Sequence, residues 1–148
     1  MKNTSFVGGK EKEYADGKAM IVMRGEYASS WSGHALIGVH FNGSIFENCQ
    51  FKDLDVFSLV KLMNSNLKIA GSNISSLKTH ADAYDLHKNS NLTIQYSNIT
   101  NFRSSHNLFK ISQAATLNFE DGKIVGSQVV GEDLIQVYGS FNLKRSVI

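Results

Sequence analysis

Residues 92–99 read Leu-Thr-Ile-Gln-Tyr-Ser-Asn-Ile, and the interpretation of the whole chain turns on this octet. Its wording returns at 67–74 as Leu-Lys-Ile-Ala-Gly-Ser-Asn-Ile, at 117–124 as Leu-Asn-Phe-Glu-Asp-Gly-Lys-Ile and at 141–148 as Phe-Asn-Leu-Lys-Arg-Ser-Val-Ile. Looser versions begin at Met20 and Ser44. Positions one and three are apolar with a polar residue between them, which is the period of a strand. Positions six and eight form a second inward pair, out of step with the first, so a bend falls at position five.

The columns are regular. Position three holds Val22, Phe46, Ile69, Ile94, Phe119 and Leu143, and position eight holds Tyr27, Phe51, Ile74, Ile99, Ile124 and Ile148. Position six is always small: Gly25, Cys49, Ser72, Ser97, Gly122 and Ser146. A tight corner with little inward room accounts for that. Position five holds Arg24, Asn48, Gly71, Tyr96, Asp121 and Arg145, and Gly, Asn and Asp are residues that tolerate a left-handed bend. A second element, apolar-X-apolar, recurs in the gaps as Ile37/Val39, Val60/Leu62, Tyr84/Leu86, Phe109/Ile111 and Ile135/Val137.

A repeat of about two dozen residues marks a solenoid. Leucine-rich repeats share that length, but their wording is absent. Pentapeptide repeats share the look of 46–51, but their rhythm fails past Leu54. The expected architecture is all-β, with three short strands per coil and about six coils over residues 18–148. Residues 1–17 are polar and are expected to cap the first coil or form an arm, with a helical turn at 11–15. Ile148 is itself an inward position with nothing after it in the sequence. The expectation is therefore either a shortened chain or an end that packs on another copy or a partner.

In this pattern the chain resembles the single-stranded right-handed parallel β-helix family, which includes pectate-lyase-like enzymes and phage tailspikes. The resemblance implies a ligand cleft along the strand that follows the variable loops. The outward residues of that strand are Gly38, Lys61, Asp85, Lys110 and Gln136, flanked by His40, Met63, His87, Ser112 and Tyr138. The calcium-binding acidic cluster and arginine base of pectate lyases have no counterpart, since Arg103 has no acidic neighbours. The paired aspartates of polygalacturonases are not matched either.

Composition narrows the field. The 148 residues suit one domain, and 42% hydrophobic with 19% charged residues is globular. A net charge of +2 without a block of like charges gives no argument for nucleic acid or an anionic membrane. No apolar run approaches the ~18 residues of a membrane span. One cysteine, Cys49, excludes an internal disulfide and a multi-cysteine zinc site, and its place in the small inward column reads as a buried thiol. The absence of proline suits a chain whose backbone N–H groups are nearly all needed in sheets. No leader is visible at the N-terminus, so the expected location is cytoplasmic or virion-associated.

Candidate chemistry sits on one face. Trp31, His34, Lys61, His80, Asp82, Asp85, His87, His106 and Lys110 are the candidate ligand residues. Two carboxylates with a base could act on a sugar; mixed charges on a solvated face are the plainer interpretation. His80-X-Asp82 is at most half a metal site, so no metal and no cofactor are expected. Phe141, Leu143 and Ile148 are the candidate association end. The column Leu36, Leu59, Ala83, Leu108 and Leu134 is apolar one residue before an inward position. It is either an exposed ridge or a row of side chains tucked under by a bend.

The leading expectation for function is a non-catalytic module that binds a protein partner or itself. The alternative is a module that binds or cleaves polysaccharide, with Tyr27 and Tyr138 joining Trp31 as stacking surfaces. A phage or bacterial inhibitor of a host complex is a third.

Overall fold

The structure is a computed structural model that describes the backbone of residues 1–10, 21–23, 35–39 and 44–148, with side chains at 1–5 and 45–148. Trp31, His34, Tyr27 and the expected helical turn at 11–15 lie outside the described residues.

Alternating side chains build the strands, and the repeat stacks them. The first sheet piles Ser44–Glu47, Asn66–Ala70, Asn91–Gln95, Thr116–Glu120 and Ser140–Lys144, all parallel. Its register sets Leu67, Leu92, Leu117 and Phe141 in one column and Phe46, Ile69, Ile94, Phe119 and Leu143 in the next. The second sheet carries the latter half of each octet and stacks Phe51, Ile74, Ile99 and Ile124. The third sheet stacks Ile21–Met23, Ala35–Val39, Ser58–Leu62, Tyr84–Leu86, Phe109–Ile111 and Ile135–Val137. The chain is a parallel β-solenoid of about four turns, and the described residues contain no helix.

The core is the set of inward columns. Phe46, Ile69, Ile94 and Phe119 are buried, as are Leu67, Leu92, Leu117, Phe51, Ile74 and Ile99. Each such side chain contributes ~1.5–3 kcal/mol relative to exposure, most of it offset by the entropy of ordering the chain. Like packs on like: the rings of Tyr84 and Phe109 stack with centroids 4.8 Å apart. Leu59, Ala83 and Leu108 are also buried, and Leu134 packs against the core. The bend therefore tucks this column inward, and no exposed ridge exists at these positions.

The corners explain the bend residues. Backbone φ is left-handed at Asn48 (53°), Gly71 (59°), Tyr96 (50°), Asp121 (50°) and Arg145 (46°). Position five thus adopts this conformation even where the side chain disfavours it. The small sixth column has a hydrogen-bonding reason besides the steric one. Ser72 Oγ accepts from Cys49 N–H at 3.0 Å, Ser97 Oγ from Ser72 N–H at 3.1 Å and Ser146 Oγ from Gly122 N–H at 3.1 Å.

Three expectations are corrected. The turns number about four, not six. The three turns that begin at Asn66, Asn91 and Thr116 each carry four short strands, not three, because a second left-handed corner at Ser76, Asn101 and Gly126 splits the loop; in the turn before them the matching left-handed residue, Asp53, lies inside one continuous strand, Gln50–Val56. Beyond the corner lie Lys78–Thr79, Arg103–Ser104 and Gln128–Val129, paired in register, and Leu54, Leu77 and Phe102 form one more buried column. Finally, Ile21–Met23 pairs with Ile37–Val39 in the third sheet and is not an octet. The octet geometry belongs to the first residues of the chain. Lys2 bridges to Glu47, Asn3 is left-handed (φ 50°), and Ser5–Lys10 runs parallel to Gln50–Asp55 with Phe6 opposite Phe51.

Candidate functional site

The third sheet and the loop that enters it gather most of the polar candidates. Stacking brings Asp82, Asn107 and Glu132 into one column, one residue from each of three successive turns. Asn107 is fully buried. Its Nδ2 donates to Asp82 Oδ1 at 2.8 Å and to Glu132 Oε2 at 2.6 Å, and its backbone N–H donates to Asp82 Oδ1 at 3.2 Å. Lys110 Nζ lies 3.3 Å from Asp82 Oδ2. His106 Nδ1 lies 3.1 Å from Glu132 Oε1. Ligand-capable atoms of Asp82, His106 and Glu132 all fall within 4.8 Å of one another.

A second group lies beside it on the same sheet. Asp85 is largely buried, its Oδ2 is 3.0 Å from His87 Nε2 and 4.0 Å from Lys61 Nζ, and its Oδ1 has no hydrogen-bond partner. Lys61 also rests 5.9 Å from the ring centroid of Phe57. His80 does not join either group. Its Nε2 turns to Asp55 Oδ1 at 2.5 Å, and Lys78 sits 3.5 Å from Asp55 Oδ2. His80 is thus turned to the neighbour one turn away, because the chain bends at His80 and Ala81 between two strands.

The electrostatics follow the contacts. Burial opposes the charge on Lys110, but Asp82, Asp85 and Glu132 together outweigh it and raise its pKa above the ordinary lysine value. The hydrogen bond from His106 is the main cause that holds Glu132 below the ordinary glutamate range; burial opposes it and Asn107 adds to it. For Asp55 burial is the largest effect and acts upward, yet His80 and Lys78 together bring its pKa below the usual aspartate value. Burial alone pushes the Tyr84 phenol far up.

Protein-family models, curated proteins and solved structures give no match to this chain.

The other candidate region is the last turn. Leu143 and Ile148 are 48% and 47% exposed, Val147 is exposed beside them, and Phe141 is half-buried. Among the sequence candidates, the structure joins Asp82, His106 and Lys110, and separately Lys61, Asp85 and His87. Asn107 and Asp55 were not among the candidates. Both were marked by the period, since Asn107 follows Asp82 and His80 follows Asp55 by 25 positions. Cys49 is buried, and its thiol donates to Glu47 O at 3.5 Å.

Proposed function

We propose that this chain is a non-catalytic β-solenoid module that works through protein contact, with its last turn as the contact surface and a second copy as the occupant. The break in burial between the last two rungs carries this reading. Phe119 is 0% exposed, and Leu143, stacked on it, is 48% exposed. Ile111 is likewise 0% exposed, and Val137, paired with it, is 44% exposed. Among the described residues, Ser140–Lys144 and Ile135–Val137 each pair on one side only.

A strand edge with unpaired N–H and C=O groups is a template for another strand. Apolar side chains along that edge add area worth burying. Two copies meeting end to end present the same edge to each other, as a two-fold contact requires.

Light scattering across a concentration series tests the reading. The mass is expected to rise toward that of a dimer, and Leu143→Asp is expected to hold the chain monomeric. A monomer at every concentration overturns it.

A second reading is a polysaccharide-binding or polysaccharide-cleaving module of the tailspike or lyase kind. It draws on the face of Asp82, Asp85, His87 and Lys110 and on the exposed ring of Tyr138. A glycan array that shows no binding removes it; binding lost in Asp82→Ala and Tyr138→Ala supports it.

A further inference from the structure

We propose that the second copy docks by laying its own Ser140–Lys144 antiparallel against Ser140–Lys144 of the first, in a register centred on Asn142. This rests on the self-association put forward above and assigns the residues that meet across it.

A two-fold axis that joins two solenoids end to end lies at right angles to the solenoid axis. Directed along the strand, it would set the solvent face of one copy against the interior of the other. Directed through the sheet, it keeps inner side chains with inner ones and reverses the strand, so the pair is antiparallel. Phe141 and Leu143 continue the inward columns of Leu117 and Phe119, while Ser140, Asn142 and Lys144 are exposed on the outer face. Opposed residues of an antiparallel pair share a face, so the axis passes through a residue and not between two. An axis at Phe141 brings Gly139, which precedes the strand, opposite Leu143. An axis at Leu143 brings Arg145, at its left-handed corner (φ 46°), opposite Phe141. An axis at Asn142 uses the whole strand. It sets Phe141 opposite Leu143 and Ser140 opposite Lys144, and opposes no like charges.

The backbone agrees. Ser140 N–H donates to Ala115 O at 2.9 Å, and Lys144 O accepts from Asp121 N–H at 3.0 Å. Ser140 and Lys144, with Asn142 between them by alternation, therefore turn their polar backbone groups to the preceding turn. Those of Phe141 and Leu143 are left on the open edge. In the centred register Phe141 and Leu143 of opposite copies exchange both hydrogen bonds. Asn142 then faces its own counterpart as the non-hydrogen-bonded pair, with Cα atoms ~4.5 Å apart. On the outer face Asn142 Nδ2 donates to Asn118 Oδ1 at 2.8 Å, and Asn118 Nδ2 to Asn91 Oδ1 at 3.0 Å. The remaining Nδ2 hydrogen and the Oδ1 of Asn142 meet their equivalents across the axis, so the amide ladder runs on into the second copy.

Cross-linking reads the register. In a Cys49→Ser background, Asn142→Cys places the two thiols at a separation that a disulfide spans. Oxidation at a concentration where light scattering gives the dimer should link most of the chains. Asn66→Cys, exposed on the same face three turns earlier, is the control for chance collision and should link far more slowly. Ser140→Lys sets like charges opposite Lys144 and should raise the concentration of half-association about threefold or more, whereas Ser140→Glu should lower it. Circular dichroism confirms the fold of each variant. A parent dimer in which Asn142→Cys links no faster than Asn66→Cys overturns the register and leaves the self-association standing. Unchanged association in Ser140→Lys does the same. A parent chain that is monomeric at every concentration overturns the self-association and the register with it.

Discussion

Ser97 Oγ accepts a hydrogen bond from Ser72 N–H at 3.1 Å across one full turn, and donates its own proton to Gln95 O at 2.7 Å. The hydroxyl satisfies a backbone donor that the left-handed corner leaves out of the sheet ladder. Ser97→Ala strands that donor in the interior, where Ser72 and Ser97 are both buried. The expected loss is about 1–3 kcal/mol, read as a lowered urea midpoint with an unchanged slope. An unchanged midpoint would show that the hydroxyl column serves only to fill space.

Tyr96 holds φ 50° with its ring 64% exposed. A left-handed residue with a Cβ costs roughly 1–2 kcal/mol, and the exposed ring has little packing to offset that. Tyr96→Asn is expected to raise stability by up to ~1 kcal/mol, because asparagine tolerates this conformation. Thermal denaturation of the variant checks it. A loss of stability would mean that the ring makes a contact worth more than the strain.

Gly122 is closed to a side chain. A Cβ built there would meet Ser97 O at 2.7 Å and Phe119 Cζ at 2.8 Å. Gly122→Ala should therefore cost on the order of 1–3 kcal/mol by overpacking, despite the usual gain from replacing glycine. Chemical denaturation measures it, and a stabilised variant would place the corner differently.

Asp55 carries a pH dependence whose sign is fixed. His80 and Lys78 hold its folded-state pKa below the ordinary 3.8 against an opposing effect of burial. A depressed carboxylate pKa stabilises the fold above the unfolded value and loses that contribution as pH falls through the folded value. The stability difference between the parent chain and Asp55→Asn should be full above about pH 4 and shrink as the solution is acidified further. A difference that grows toward low pH would contradict the pairing.

The octet columns were legible because period-two alternation and a repeat of fixed length speak together. Leu67, Leu92 and Leu117 stack as their spacing requires. The column of Leu54, Leu77 and Phe102 recurs just as regularly, but it lies beyond a corner occupied by Asp53, Ser76 and Asn101. Those residues read as loop, and the strands that follow are two residues long. Ile21–Met23 was misplaced because both repeating elements read apolar-X-apolar, and periodicity alone cannot tell which sheet such a triplet joins. At the polar face stacking decides. His80 and Asp82 look paired because they are near in sequence, yet the chain bends at His80 and Ala81, and stacking supplies Asp55 to His80 instead. The vertical set of Asp82, Asn107 and Glu132 needs the turn length as well as the residue types to be seen.

The end surface and the polar column of Asp82, Asn107 and Glu132 exist only if successive turns stack in register, and one measurement reads that directly. Thr93 and Asn118 are partnered across adjacent turns, so their Cα atoms stand about one strand spacing, ~4.8 Å, apart. Nitroxide labels on Thr93→Cys and Asn118→Cys, with Cys49 replaced by Ser, should give strong dipolar and exchange broadening in the room-temperature electron paramagnetic resonance spectrum. Two sharp, independent spectra at these positions would contradict the stacked solenoid.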